Sequence, residues 1–148
     1  MEIAIIDDYQ GAFRQVASFG RLEGHKVTVY TDTEKDPARL AERLKDAEAV
    51  VLTQQRSRFP RAVVERLPRL KLICQTGRNT AHIDVNACTE RGILICGCGG
   101  GGPAPTAELS WGLILAALRH IPFESQRLRQ GHWQSTTGTV LEKKTLGI

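Results

Sequence analysis

Residues 70–96 decide the fold and read LKLICQTGRNTAHIDVNACTERGILIC. The apolar, β-rich run at Leu70–Cys74 predicts a strand, and a second such run follows at Ile93–Cys96. Between them, Asp84–Arg91 has a helical pattern, and Gly92 is the residue type that commonly follows the last turn of a helix. Strand, helix and strand at this spacing predict a right-handed crossover between two parallel strands.

The same alternation extends back to the N-terminus. Three further strands are predicted, at Glu2–Ile6, Lys26–Tyr30 and Ala49–Leu52. Helices are predicted between the strands, at Gly11–Phe19, from the Asp36-Pro37 start onward, and at Pro60–Leu67. We therefore predict that residues 1–100 form an α/β domain of the flavodoxin-like type, with a doubly wound, parallel, five-stranded sheet.

The C-terminal third has a different character. Gly97–Pro105 contains five glycines and two prolines, which is typical of a hinge or crossover. The helix predicted at Thr106–His120 is apolar almost all round and needs burial on several sides. Lys144–Ile148 has the pattern that leads into a dinucleotide-binding strand. We therefore expect residues 101–148 to be an interdomain helix and the truncated start of a Rossmann nucleotide-binding domain, ending before its glycine-rich turn.

Composition excludes several classes of protein. The chain is 41% hydrophobic and 24% charged with a net charge of +4, as in ordinary soluble proteins. No signal peptide is visible, and the apolar stretch Leu109–Leu118 is shorter than the ~20 residues of a membrane span. Basic residues between Arg56 and Lys71 fit a solvated helix face. We expect a cytoplasmic protein without a membrane or nucleic-acid partner.

The four cysteines have no metal-ligand spacing. Cys74 and Cys96 lie in apolar strand runs, and we predict that they are reduced, small buried hydrophobes. Cys98 lies in the glycine run, where a thiol can be accessible. No metal site is predicted.

Functional groups are expected at the carboxyl ends of the parallel strands, which share one edge of the sheet. Arg56 follows the third strand and can present a planar set of donors to a carboxylate. Gly77 follows the fourth strand, where backbone N–H groups can form an anion nest, with Arg78 adding charge and Asn79 a side-chain donor. A surface ion pair for Arg56 and an ordinary strand-to-helix turn at Gly77 remain the alternatives.

Several motifs together resemble the D-isomer-specific 2-hydroxyacid dehydrogenases, in particular a phosphoglycerate-dehydrogenase-like subgroup. The similar stretches are Ile5–Gln10, Leu70–Ile73 with Thr76-Gly77, Ile83-Asp84, Glu90–Ile93, Gly100–Pro103, Pro105–Leu109 and Gly131–Trp133. The resemblance covers nearly the whole chain in order. It implies a substrate domain and a nucleotide domain with the active site in the cleft between them.

The resemblance also implies roles for single residues. Arg56, Gly77, Arg78 and Asn79 would bind a small anionic 2-hydroxy acid, and Thr106 would lie near the nicotinamide of NAD. None of the family's catalytic residues matches a position in this chain. None of the chain's own four histidines is predicted to be the catalytic base. Since Arg78-Asn79-Thr80 replaces the family's common Gly-x-Gly loop, the identity of the acid stays open, as does NAD against NADP.

Two other functions compete with the dehydrogenase. A receiver-like signalling module shares the fold, and Asp7-Asp8 matches its acidic pair. However, Leu52-Thr53-Gln54 offers no aspartate to phosphorylate. A catalytically inactive fragment that forms a homodimer through the helix at residues 106–121 is compatible with the dehydrogenase reading.

Overall fold

The computed structural model describes residues 1–99 and 102–147. The chain divides into two compact units, Met1–Gly100 and Gly101–Ile148. Two glycines of the predicted hinge, at positions 100 and 101, and Ile148 of the predicted final strand lie outside the described residues.

The first unit contains a parallel sheet of five strands in the order β2-β1-β3-β4-β5. The strands are β1 (Glu2–Ile6), β2 (Lys26–Val29), β3 (Ala49–Leu52), β4 (Leu72–Gln75) and β5 (Leu94–Gly97). Three α-helices connect them, α1 (Pro37–Leu44), α2 (Arg61–Val64) and α3 (Val85–Glu90). The predicted α/β fold with five parallel strands is confirmed. Its strand order brings the ends of β1, β3 and β4 together at the middle of one sheet edge.

All three α-helices pack against one face of the sheet. Their apolar side chains form a single cluster with alternate strand residues, whose members include Leu40, Leu44, Val50, Leu52, Phe59, Val63, Val64, Leu67, Ile73, Ala87 and Cys88. On the opposite face of β4 and β5 the side chains are less covered. Leu94 is 61% exposed, and Cys96, which was predicted to be buried, is exposed as well. The prediction for Cys96 failed because β5 is the last strand of the sheet and its outer face lacks a covering helix within the described part of the unit.

Side-chain caps set the predicted helix starts. The Asp36 carboxylate accepts a hydrogen bond from the N–H of Arg39 at 2.8 Å, and Pro37 occupies the first turn of α1. The Asp84 carboxylate accepts from the N–H of Ala87 at 2.8 Å and caps α3. Such caps satisfy N–H groups that have no partner within the helix.

The α-helix predicted at Gly11–Phe19 is wrong. The segment forms two 3-10 helices, Phe13–Gln15 and Ala17–Leu22, and Val16 between them is extended at φ −82° and ψ 136°. Neither helix buries a residue. Because short α-helices depend on the packing of an apolar face, this segment has nothing to hold a regular helix.

The second unit contains helices α4 (Ala104–Leu118) and α5 (Ile121–Arg129), joined at His120 in the left-handed region. Helix α4 confirms the long apolar helix predicted at Thr106–His120, shifted by two residues at each end. Neither helix buries a residue, and large apolar side chains remain exposed at Leu109, Trp111, Leu113, Leu115, Ile121, Phe123, Leu128 and Trp133. Residues 144–147, predicted to lead into a strand, form none. A strand needs a neighbour to pair with, and the described part of this unit contains no other strand.

Glu124 of α5 fixes the loop that follows the helix. Its carboxylate accepts hydrogen bonds from the N–H groups of Ser135 at 3.1 Å and Thr136 at 2.7 Å, and from the Thr136 hydroxyl at 2.7 Å. The hydroxyl of Thr136, followed by these backbone N–H groups, holds the pKa of the Glu124 carboxyl below its usual range. The charged form of Glu124 therefore stabilises the second unit.

We expect Glu124→Gln to destabilise the second unit at neutral pH and to reduce its sensitivity to acid. A carboxyl with a lowered pKa in the folded state stabilises the fold above its unfolded pKa, and this contribution is lost as the pH falls through the folded value. Both tryptophans of the chain, Trp111 and Trp133, lie in this unit, so tryptophan fluorescence during urea unfolding reports on it selectively.

The matched control is Glu142→Gln, which removes an equal charge from an exposed position of the same unit. It should unfold like the parent chain at every pH. If Glu124→Gln kept the parent's stability at neutral pH and its full loss of stability in acid, the assigned role of Glu124 would be wrong.

Candidate functional site

The acidic pair at the end of β1 is built into the fold. Asp7 is buried with a left-handed φ of 62°, and the Thr33 hydroxyl donates to its carboxylate at 2.7 Å. The Asp8 carboxylate accepts from the N–H groups of Ala12 at 2.9 Å and Phe13 at 3.1 Å. These bonds commit both carboxylates to organising the neighbouring loops, which weakens the receiver-like alternative.

Backbone strain marks the same edge of the sheet. Asp7 follows β1 and Gln54 follows β3, and both adopt left-handed φ values, 62° and 57°, although neither is glycine. Such a conformation costs about 1–2 kcal/mol for a residue with a Cβ atom. Strained non-glycine residues cluster at functional sites, so this edge is a candidate on backbone geometry alone.

Arg56, predicted to bind substrate, contacts the end of β1. Its Nη1 donates to the main-chain oxygen of Asp7 at 2.6 Å, and its guanidinium lies 4.5 Å from the centroid of the Tyr9 ring. The side chain lines a small cavity of about 170 Å³ together with Thr33 and Arg58. Arg56 therefore lies at the predicted edge of the sheet, with one of its donors already bound to the backbone.

The loop after β4 carries the predicted anion site. Gln75, the last residue of β4, is fully buried, and within the described residues neither polar atom of its side chain has a partner. A Cβ atom added to Gly77 would lie 3.6 Å from the Nε2 atoms of both Gln55 and Gln75, an ordinary contact. Space alone therefore does not require glycine at 77. Two amide groups converge beneath it.

The backbone of this loop offers donors. Within the described part of the chain, the N–H groups of Gly77, Arg78 and Asn79 donate to no protein group. The side-chain oxygen of Asn79 accepts from the N–H of Ala81 at 2.8 Å, so the NH₂ group is the part of this amide that is left to donate. Consecutive N–H groups without an acceptor are the kind of donors that an anion site needs, and the carboxylate site at Gly77–Asn79 stays a prediction.

Arg78 lies against the glycine run instead of the cavity beside Asn79. An added Cβ atom at Gly99 would fall 2.4 Å from the Arg78 Nε atom, and one at Gly97 would fall 3.0 Å from the main-chain oxygen of Gly77. The guanidinium of Arg78 thus lies against Gly99 and would have to shift if residue 99 carried a side chain. Of the predicted substrate residues, Arg78 therefore lies against the glycine run, and Asn79 lines a separate cavity.

A cavity of the first unit adjoins Asn79. It has a volume of about 540 Å³, and its lining includes Gln55, Arg58, Asn79, His82 and Asp84. Its two walls are the loops after β3 and β4. They are joined by hydrogen bonds from the N–H of Phe59 to the oxygen of His82 at 2.8 Å and from the N–H of Asp84 to the oxygen of Phe59 at 2.8 Å. This pairing holds Arg58 and Asn79 on opposite walls of one cavity.

His82 is the one histidine that lines this cavity. Within the described residues its ring nitrogens are buried and have no hydrogen-bond partner, and burial lowers the pKa of the imidazole. Within the described residues no carboxylate orients this ring, as one orients a catalytic histidine base. The prediction that His82 is not the base rests on that missing partner. That prediction stays open.

Thr106, predicted to lie near a nicotinamide, is exposed in the first turn of α4, and its main-chain oxygen accepts from the Ser110 hydroxyl at 2.8 Å. It belongs to the second unit. Its assignment to the cofactor therefore stays a prediction.

Sequence reasoning gave no role to Gln55, Arg58 or Gln75. Arg58 lines both cavities of this edge, and Gln75 supplies the buried amide beneath Gly77. The available signal was position: all three residues lie at or just after the carboxyl ends of β3 and β4, where ligands bind in open parallel sheets.

The described residues contain neither a metal-binding cluster nor a membrane-spanning helix. Over residues 1–99 and 102–147, no group of three or more His, Cys, Asp or Glu side chains could hold a metal ion. In the same residues, every helix is too short or too polar to span a bilayer.

Comparisons with known proteins agree with the fold. A family model described as "D-isomer specific 2-hydroxyacid dehydrogenase, catalytic domain" matches residues 3–143. D-3-phosphoglycerate dehydrogenase of Methanocaldococcus jannaschii is 36% identical over 125 residues, which cover 83% of this chain and 23% of that protein. Hydroxypyruvate reductase of Thermotoga maritima is 32% identical over 101 residues, or 67% of this chain and 33% of that protein.

A solved structure gives the same answer in three dimensions. Phosphoglycerate oxidoreductase from Vibrio cholerae O395 superposes with a TM-score of 0.86 at 44% identity, covering 95% of this chain and 46% of that one. The chain thus spans a quarter to a third of the length of these curated relatives and under half of the solved chain. The match over residues 3–143 shows that the chain belongs to the D-isomer specific 2-hydroxyacid dehydrogenase family, as part of its catalytic domain.

Proposed function

We propose that the chain is the substrate-binding part of an NAD-dependent D-2-hydroxyacid dehydrogenase, which transfers hydride between C2 of the acid and the nicotinamide. Residues 1–100 would bind the substrate, and residues 101–148 would form the interdomain helix and the start of the nucleotide-binding domain. Relatives named for phosphoglycerate and hydroxypyruvate support a small anionic 2-hydroxy or 2-oxo acid as substrate.

One observation carries this proposal: the three consecutive N–H groups of Gly77, Arg78 and Asn79 have no protein acceptor within the described residues. Unsatisfied donors at the end of a central parallel strand are suited to a carboxylate, which accepts several hydrogen bonds at once. Arg58 across the cavity adds positive charge. In the reaction these N–H groups and Arg58 would bind and orient the acid. They would take no part in hydride or proton transfer.

Within the described residues, the N-terminus of α4 does not fit the pyrophosphate of a dinucleotide. Anions bind at helix N-termini through backbone N–H groups. Helix α4 follows the glycine run, but its N-cap is Pro103 and its first turn contains Pro105, and proline has no N–H to donate. On this chain, the proposed contact of Thr106 with the nicotinamide is therefore the one role we assign toward NAD.

We also propose that the apolar second unit forms a homodimer through residues 106–121. Leu109 and Leu113, one turn apart on α4, are 64% and 61% exposed. Contiguous apolar patches of this kind mark association surfaces. We propose that a second copy of the chain covers this apolar face.

The substrate roles can be tested in a chimera that joins residues 1–148 to the nucleotide-binding part of the Vibrio cholerae relative, which is 44% identical. We expect Arg56→Ala to raise KM for the acid by about tenfold or more with little change in kcat, since a charge-assisted hydrogen bond contributes roughly 1.5–3 kcal/mol. Asn79→Ala should raise KM less, because the backbone donors remain.

The matched control is Arg66→Ala, an exposed arginine outside both cavities. An unchanged KM with a collapsed kcat for Arg56→Ala would contradict the binding role. If neither constant changed, Arg56 would have only its structural contacts with Asp7 and Tyr9.

A further inference from the structure

Two cysteines lie in register on neighbouring strands of the first unit. Cys74 of β4 and Cys96 of β5 are paired positions of the parallel ladder. Their neighbours Ile73 and Ile95 belong to or pack against the apolar core. Because successive side chains of a strand point to opposite faces, both thiols lie on the other face of the sheet, side by side.

The spacing of paired strands suits a covalent link. Adjacent strands lie about 4.7–4.9 Å apart in a sheet. Disulfides join residues whose Cα atoms are roughly 4.4–6.8 Å apart, provided that the Cβ atoms point the same way. As paired positions of neighbouring strands with their side chains on one face, Cys74 and Cys96 are placed for such a link without a change in strand register.

The two thiols also differ in access. Cys96 is exposed on the edge strand, Cys74 is half-buried, and Cys88 is buried in the core. Burial raises the pKa of the Cys74 thiol, so fewer of its molecules are thiolate at neutral pH. Cys96 is therefore the thiol that meets a reagent from solution first, and Cys74 is placed to react second.

We propose that Cys74 and Cys96 form a redox-active dithiol that exchanges with low-molecular-weight disulfides. The Cys96 thiolate attacks one sulfur of the small disulfide, the sulfur–sulfur bond breaks, and one small thiolate leaves. Cys74 then loses its proton and attacks the Cys96 sulfur, which releases the second small thiolate and closes the Cys74–Cys96 bond. The protein loses two protons and two electrons, and the small disulfide is reduced to two thiols.

The link would tie the sheet edge to the strand that carries the candidate anion site. Cys96 is followed by Gly97, where an added Cβ atom would lie 3.0 Å from the main-chain oxygen of Gly77. Cys74 lies three residues before Gly77 on the neighbouring strand. We therefore expect oxidation to slow amide exchange throughout β5 (Leu94–Gly97).

The test uses the 148-residue chain and glutathione disulfide as the probe. Intact-mass measurement should show the loss of two hydrogen atoms without a glutathione adduct, and peptide mapping should place the bond between Cys74 and Cys96. Dithiothreitol should restore the original mass. Cys74→Ala should stop the reaction at a glutathione adduct on Cys96, and Cys96→Ala should abolish the internal bond.

The matched control is Cys98→Ala, which removes the other exposed thiol and should leave the reaction intact. Circular dichroism of each reduced variant establishes that it is folded. A bond that includes Cys98 or Cys88, a bond between two chains, a stable adduct on the parent chain, or four unreacted thiols would each overturn the proposal.

Discussion

The 148-residue chain by itself should not oxidise or reduce any 2-hydroxy or 2-oxo acid with NAD or NADP. Hydride transfer needs a held nicotinamide and a base for the hydroxyl proton. Within the described residues, no histidine ring is hydrogen-bonded to a carboxylate, and Pro103 and Pro105 remove N–H donors from the N-terminus of α4, where a pyrophosphate would need them. The measurement is nicotinamide absorbance with a panel of acids at high chain concentration.

Turnover well above the enzyme-free rate that disappeared on mutation of His82 would contradict this expectation. The same mutation controls for a contaminating host dehydrogenase, because the activity of a contaminant would not change when His82 of this chain is mutated. Calorimetric titration gives a second test. We expect NAD affinity weaker than micromolar, a dissociation constant that corresponds to roughly −8 kcal/mol.

Leu113→Arg should convert the chain from a dimer to a monomer. Leu113 is 61% exposed in the middle of α4. If a second copy covers it, the substitution buries an unpaired charge at the interface, which costs several kcal/mol. Light scattering coupled to size exclusion should show twice the chain mass for the parent protein and the chain mass for the variant.

Glu108→Arg serves as the control, since it places the same side chain on the same helix at a position that is already charged and exposed. It should remain dimeric. A parent chain that stays monomeric at all concentrations, or a Leu113→Arg chain that stays dimeric, would contradict association through α4.

Most of the first unit could be predicted from sequence, for physical reasons that are local. The apolar runs of β1, β3 and β4 are bounded by turn residues, and caps such as Asp36 and Asp84 act within one helical turn. The segment at Gly11–Phe19 could not be predicted in the same way. Its conformation depends on the Asp8 carboxylate, which binds Ala12 and Phe13, and on the absence of a buried face.

The candidate site was predictable in place but not in detail. The rule that ligands bind at the carboxyl ends of parallel strands pointed to Arg56 and Gly77. It could not reveal that Arg56 binds the Asp7 backbone, or that Arg78 lies over Gly99. Contacts between the loops that follow different strands decide where the side chains of Arg56 and Arg78 point. Arg58 likewise lines its cavity because Phe59 is hydrogen-bonded to His82 and Asp84 on the neighbouring loop.

We infer that the N–H groups of Gly77, Arg78 and Asn79 bind the carboxylate of a 2-hydroxy acid. The most direct measurement is a titration of the ¹⁵N-labelled chain with D-glycerate, followed by two-dimensional amide NMR. Glycerol is the control, because it has the hydroxyls and lacks the carboxylate. We expect saturable shifts of these three amides and of the Asn79 side-chain NH₂ with D-glycerate only. Shifts confined to other residues, or equal shifts with glycerol, would show that these amides do not bind the carboxylate.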